Sequence, residues 1–159
     1  MTRACVAALV ALCSAAAFAA SPEEIIAHYA EQARQEDPDF AGFSVERGKE
    51  VYFRKGVIRG VGEVSCARCH RPDPRELIIA HETDILCRAC HVIHDEEHPA
   101  PNGAKKRKIE PLAPSHGHNR LTDPDTVDVF LRLNCKLTFK RDCTTLEKGD
   151  VLTWILSIH

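Results

Sequence analysis

"SCARCHRPDPRELIIAHETDILCRACH", residues 65–91, holds two Cys-x-x-Cys pairs with 17 residues between Cys69 and Cys87. That spacing suits a zinc ribbon, in which four thiolates close a tetrahedral site. His70 and His91 each follow a pair directly, and Cys-x-x-Cys-His is also the attachment signature of c-type haem. A ribbon needs only its four thiolates, so a histidine after each pair would be a coincidence met twice. In a c-type cytochrome it is required: two thioethers fix the porphyrin and the adjacent imidazole becomes an axial ligand. Disulfides within the pairs would explain neither histidine. The motifs point to two covalently bound haem c groups, one on Cys66, Cys69 and His70 and one on Cys87, Cys90 and His91. Zinc is the lesser alternative.

The N-terminal residues "MTRACVAALVALCSAAAFAA" support the haem reading through compartment. Arg3, an apolar run of Ala, Val and Leu, and Ala17-Phe18-Ala19 make a secretory signal peptide over residues 1–19, cut after Ala19. The apolar run is shorter than the roughly 20 residues a spanning helix needs. The expected location is therefore the periplasm, where covalent haem attachment is common and bare thiols tend to form disulfides. Removing residues 1–19 takes away Arg3, Cys5, Cys13 and the only methionine, Met1. The mature chain keeps 20 basic and 23 acidic residues, a formal charge of −3, which argues against a nucleic-acid partner.

Local signals are mainly helical. Ser21, Pro22 and two acids open a helix whose apolar face is Ile25, Ile26 and Tyr29. "SVERGKEVYFRK", residues 44–55, reads as a second helix with Val45, Val51, Tyr52 and Phe53 for packing. "GVIRGVGE" reads as a glycine-rich loop. Asp73-Pro74 signals a third helix over 73–86. Residues 95–115, charged and proline-rich with "KKRK" at 105–108, read as surface loop. A helix starts at Asp123, and Thr144-x-x-Glu147 is the capping box of the last one. The expected class is all-α. Its parts are a signal peptide (1–19), an N-terminal helix and linker (20–43), and a haem domain (44–159) with a haem-bearing insertion at about 72–108.

"SVERGKEVYF", "SCARCHRPDP", "KIEPLAPS", "RLTDPDTVDVFLRLNC" and "RDCTTLEKGDVLTWILS" together resemble the sphaeroides haem protein family. These are small secreted high-spin cytochromes c with an asparagine as sixth iron ligand. The match runs over about 44–71 and 108–157, and its most specific element is Asn134-Cys135 with Cys143 beyond. The resemblance implies a class I cytochrome c fold whose first and last helices cross near Gly48 and Trp154. It also implies a Cys135–Cys143 disulfide. The family pattern has a short loop and one haem where this chain carries "CRACH", so it informs the first haem only.

With no methionine left in the mature chain, neither iron has the His/Met pair of an ordinary electron-carrying cytochrome c. His/His, His/Asn or a vacant position remain. For the first haem, with His70 proximal, the resemblance points to Asn134. Taken alone, Asn134 reads as a helix end. An amide oxygen is a hard donor that suits Fe(III) better than Fe(II), so the resemblance implies a distal site that opens to O₂ or NO on reduction. The carbonyl of Pro111 is a candidate acceptor for the ring N–H of His70. The second haem has His91 as proximal ligand, and its distal candidates in order are His81, His98, His118 and His116. His94 lies too near His91 to reach the opposite face, and His28 and His159 are read as surface residues.

The function expected is electron transfer by a dihaem c-type cytochrome, with membrane or soluble redox proteins as partners and O₂ or NO as gas ligands. "KKRK" would serve to dock an acidic partner, with a solvated loop the simpler account. The competing function is a haem enzyme of nitric oxide dioxygenase type, which turnover with a reductant would separate from relay.

Overall fold

The computed structural model describes residues 20–60, 62–80, 107–109, 111–114 and 121–159. The expected signal peptide, His81, Cys87, Cys90, His91, His94, His98, His116 and His118 lie outside them.

Each long helix starts at a residue that caps it. Ser21 opens α1 (Pro22–Glu36): its hydroxyl accepts from Glu24 N and its own N–H donates to the Glu24 carboxylate at 2.6 Å. Ser44 caps α2 (Val45–Phe53) and Ser65 caps the short α3 (Cys66–His70). Asp123 and Pro124 open α4 (Pro124–Phe139), and the Thr144–Glu147 box opens α5 (Thr145–Leu156). Ile25, Tyr29 and Ala33, four apart, form the buried stripe of α1. Ile25 and Tyr29 pack with Val127 of α4 and Leu152 of α5. A second cluster joins Val51 and Tyr52 of α2, Ala67 of α3, and Val151, Trp154 and Ile155 of α5.

The crossing of α2 and α5 organises this core. A Cβ on Gly48 would lie 2.0 Å from the Asp150 carbonyl oxygen and 2.8 Å from the Trp154 Cβ, so the two backbones touch there. The Asp150 carboxylate, 2 % exposed, locks the contact. It accepts from Arg47 Nε at 2.7 Å, Arg47 Nη2 at 2.9 Å and Ser44 N at 2.7 Å. Helix propensity alone favours Gly48→Ala by about 1 kcal/mol. Overpacking a backbone contact costs about 3 kcal/mol or more, so the variant is expected to be destabilised by about 2 kcal/mol, read from denaturant unfolding.

Three sequence expectations are corrected. "GVIRGVGE" is a hairpin, not a plain loop: β1 (Gly56–Ile58) pairs antiparallel with β2 (Gly62–Val64). Its branched Val57, Ile58 and Val64 suit strands, and Gly60 at φ +81 makes the turn. The helix expected over 73–86 does not form across its described part. Asp73 instead closes a turn through its bonds to Arg75 N and Glu76 N. Pro74 O, which a helix would bond to residue 78, accepts from Leu112 N at 2.8 Å and Ala113 N at 3.1 Å. The chain then enters β3 (Ile78–Ala80), antiparallel to β4 (Arg107–Ile109). Hence residues 107–109 and 111–114 are not surface loop: the first three pair in β4, and Pro111 and Ala113 are buried.

Glu147 ties three segments together. Arg141 grips its carboxylate with two bonds of 2.7 Å, Arg54 at the end of α2 donates to it, and Thr144 N donates at 3.0 Å. The Arg141 bonds lead in holding this carboxyl down at about 2. A depressed carboxyl stabilises fully above its ordinary value of about 4.5 and loses that contribution as pH falls toward 2. The arginines are 40–48 % exposed, so the contribution is about 1–2 kcal/mol. Wild-type protein is expected to lose that much more stability than Glu147→Gln between pH 5 and 2, measured by thermal unfolding.

Candidate functional site

The helix α3 is barely more than a turn, and its chemistry follows from that brevity. Cys66, Cys69 and His70 stand at i, i+3 and i+4, which puts all three on one side. Ala67 between them is buried in the main core, and Cys66 packs against the same cluster with Leu112, Leu131 and Phe139. Neither Cys66 nor Cys69 is in a disulfide. Burial pushes the Cys66 thiol up to about 11. His70 is partly exposed with its Nδ1 buried, which leaves Nε2 as the nitrogen available to a metal.

At the C-terminal end of α3, the buried Tyr52 hydroxyl donates toward two carbonyls, Arg71 O at 2.8 Å and His70 O at 3.1 Å. Its ring lies 4.4 Å from that of Trp154, centroid to centroid. Burial raises the phenol well above its ordinary range. The apolar pattern marks Tyr52 only as a packing residue. The available signal was its hydroxyl: a tyrosine at a core position needs a partner that phenylalanine does not.

Asn134 is not a helix end. α4 runs five residues further, to Phe139, where Lys140 takes the left-handed cap conformation. Asn134 is partly buried, on the same face of α4 as Val127, Leu131 and Thr138. Leu131 packs on the cluster that also carries Cys66, so α3 and this face of α4 share one core. The next residue, Cys135, is bonded to Cys143 with their Cα atoms 5.6 Å apart. Pro111 is buried, and the following two amides tie its segment to Pro74, just beyond α3.

Two observations test whether haem c suits these residues. The donor set is right: two thiols and an imidazole on one helix turn, with an amide side chain on a neighbouring helix. Large apolar side chains also remain uncovered, with Phe53, Val57, Leu77 and Phe130 between 38 % and 64 % exposed. Of these, Phe53 meets the rings of Tyr52 and Trp154, which pack beneath α3, so apolar surface lies where a flat apolar cofactor on α3 would need it. Among the described residues no cluster of three or more Cys, His, Asp or Glu converges to hold a metal. The zinc alternative depends on Cys87 and Cys90, outside the described residues.

A Cys-x-x-Cys-His turn packed under the crossing of two helices defines a c-type cytochrome of class I fold. The chain is 30 % identical over 135 residues to cytochrome c-type protein SHP of Cereibacter sphaeroides, covering 85 % of this chain and 82 % of that one. It belongs to the SHP family of c-type cytochromes. Residues 75–155 also match a family described as a domain of unknown function, DUF1924. Cytochrome c'' of Methylophilus methylotrophus is 24 % identical over 135 residues, 85 % of this chain and 78 % of its own. The solved structure of oxidised cytochrome c'' from that organism aligns with a TM-score of 0.63 at 23 % identity, over 87 % of this chain and 94 % of its own. That of oxidised SHP, described as an oxygen-binding cytochrome c, aligns at 0.59 and 28 % identity, over 86 % and 96 %. A solution structure of cytochrome c'', concerned with haem-ligand detachment, aligns at 0.60 and 24 % identity, over 86 % and 92 %. The all-α, class I cytochrome c-like fold expected from the sequence is therefore the fold of this chain.

Proposed function

We propose that this chain is an exported dihaem c-type cytochrome that transfers electrons, with its first haem open to O₂ or NO when reduced. Asn134 carries the proposal: an amide in mid-helix, partly buried, on the α4 face that shares a core with Cys66. Cys66 and Cys69 tether the first haem and His70 supplies its proximal nitrogen. When bound, haem supplies a one-electron couple and, wherever a coordination position is vacant, a site for a diatomic gas. In this reading the Asn134 carbonyl oxygen would be an iron donor, a hard oxygen better matched to ferric than to ferrous iron, so its side chain would serve as a gate. The Cys135–Cys143 bridge anchors the helix beside it. Both SHP, described as oxygen-binding, and cytochrome c'', described through haem-ligand detachment, support a ligand that leaves.

The second haem is assigned to Cys87, Cys90 and His91, with His81 first among its distal ligands, then His98, His118 and His116. Two histidines would close that iron to gases and leave it to relay electrons. The neutral-to-acidic mature chain fits protein redox partners in the periplasm rather than nucleic acid.

The test is an optical spectrum of protein made with c-haem maturation machinery, taken oxidised, reduced, and reduced with CO. Two haems per chain, with about half of the reduced haem shifting under CO, is the expected result. Colourless protein overturns the whole assignment, and two haems with no CO response overturn the gated site.

A further inference from the structure

The backbone just after His70 is strained. Arg71 sits at φ +64, ψ +158, a combination essentially restricted to glycine. Pro72 follows, and a residue before proline is confined to extended ψ with negative φ. Arg71 has the extended ψ but the wrong sign of φ. Its side chain does not explain this: it is 56 % exposed, with only a 3.9 Å approach to Glu76. The constraint comes from beneath, where the single Tyr52 hydroxyl hydrogen is shared between Arg71 O and His70 O. Tyr52 is 1 % exposed and fixed against Trp154 at the α2–α5 crossing, so its hydroxyl is a rigid post.

We propose that Tyr52 is a positioning residue for the proximal ligand: by holding the carbonyls of His70 and Arg71 it keeps the chain in the strained turn that sets the His70 imidazole. The strain makes the role specific. Without the hydroxyl, Arg71 gains by relaxing to negative φ, and that rotation begins at the His70–Arg71 peptide. Glycine at 71 tolerates the same conformation at no steric cost, so in Arg71→Gly the turn needs no post. The inference rests on His70 being an iron ligand.

The test is a double-mutant cycle of Tyr52→Phe, Arg71→Gly and both, in the haem-loaded full chain. The proximal readout is the iron–histidine stretching band of the reduced protein, followed with the unfolding equilibrium. Tyr52→Phe keeps the ring and is expected to shift or broaden the band and raise the unfolding constant about tenfold. Arg71→Gly is expected to leave the band in place and lower the unfolding constant several-fold, about the reach of relieved backbone strain. In the double variant the band stays at its wild-type position. A band indifferent to Tyr52→Phe, or one displaced equally in both backgrounds, overturns the proposal and leaves Tyr52 a core residue. Wild-type protein that takes up haem only through Cys87 and Cys90 overturns the reading of His70 instead.

Discussion

Asn134→His is expected to remove the CO response of the first haem and to turn its oxidised spectrum fully low-spin. The substitution is made in mid-helix, five residues short of the end of α4, on a partly buried face, so the backbone has little reason to move. An imidazole binds both Fe(III) and Fe(II), whereas an amide oxygen suits the harder ferric ion. The variant therefore does not let go when the iron is reduced. A ligand that must first be displaced lowers the apparent affinity of an incoming gas by the fraction of time the position is open. If the imidazole holds by about 3 kcal/mol, CO affinity falls about 100-fold. Asn134→Ala has the opposite signature: it keeps CO binding and makes the oxidised haem take up added imidazole readily. Titrations with CO and imidazole read both variants. Spectra identical to wild type in both would place Asn134 away from the iron and make it an ordinary polar residue of α4.

What could be read from the chain, and what could not, divides along local and non-local forces. Caps are local: Ser21, Ser44, Asp123 and Thr144 each mark a helix start, and each helix begins there. The Cys-x-x-Cys-His turn is likewise local. The segment after it is ambiguous because Asp-Pro opens turns as well as helices, and its outcome is decided by Leu112 and Ala113, nearly forty residues on. Asp150 is another case. A carboxylate is ordinarily assumed to be exposed, and only Arg47 and Ser44, more than a hundred positions away, make its burial stable. Tyr52 shows the same limit at the site. Its ring could be placed in the core from the apolar pattern, but its duty toward His70 and Arg71 depends on where α3 docks. Asn134 as an iron ligand is proposed from the resemblance alone; no local pattern distinguishes a ligand asparagine from one that ends a helix.

Cys87→Ala combined with Cys90→Ala is expected to halve the haem content of the chain while leaving the gas-binding site intact. The two motifs are separate in sequence, and α3 has its own packing against α2 and α5 through Ala67. Loss of the second tether should therefore cost one haem and spare the fold. Pyridine haemochrome absorbance per chain reads the haem count, and the CO-responsive share of the remaining haem should rise from about half to all of it. The reciprocal Cys66→Ala and Cys69→Ala variant is expected to keep one low-spin haem and lose the CO response entirely. These paired outcomes separate the two sites without needing to know which histidine completes the second. Wild-type protein carrying a single haem, unchanged in the Cys87 and Cys90 variant, would instead mean that "CRACH" carries no haem. The second pair would then have to bind zinc or form a disulfide, and bound zinc in the purified protein would decide between them. His81→Ala extends the test within the two-haem outcome: losing a distal histidine opens the second iron, so the CO-responsive share should rise above half, and an unchanged share passes the role to His98, His118 or His116.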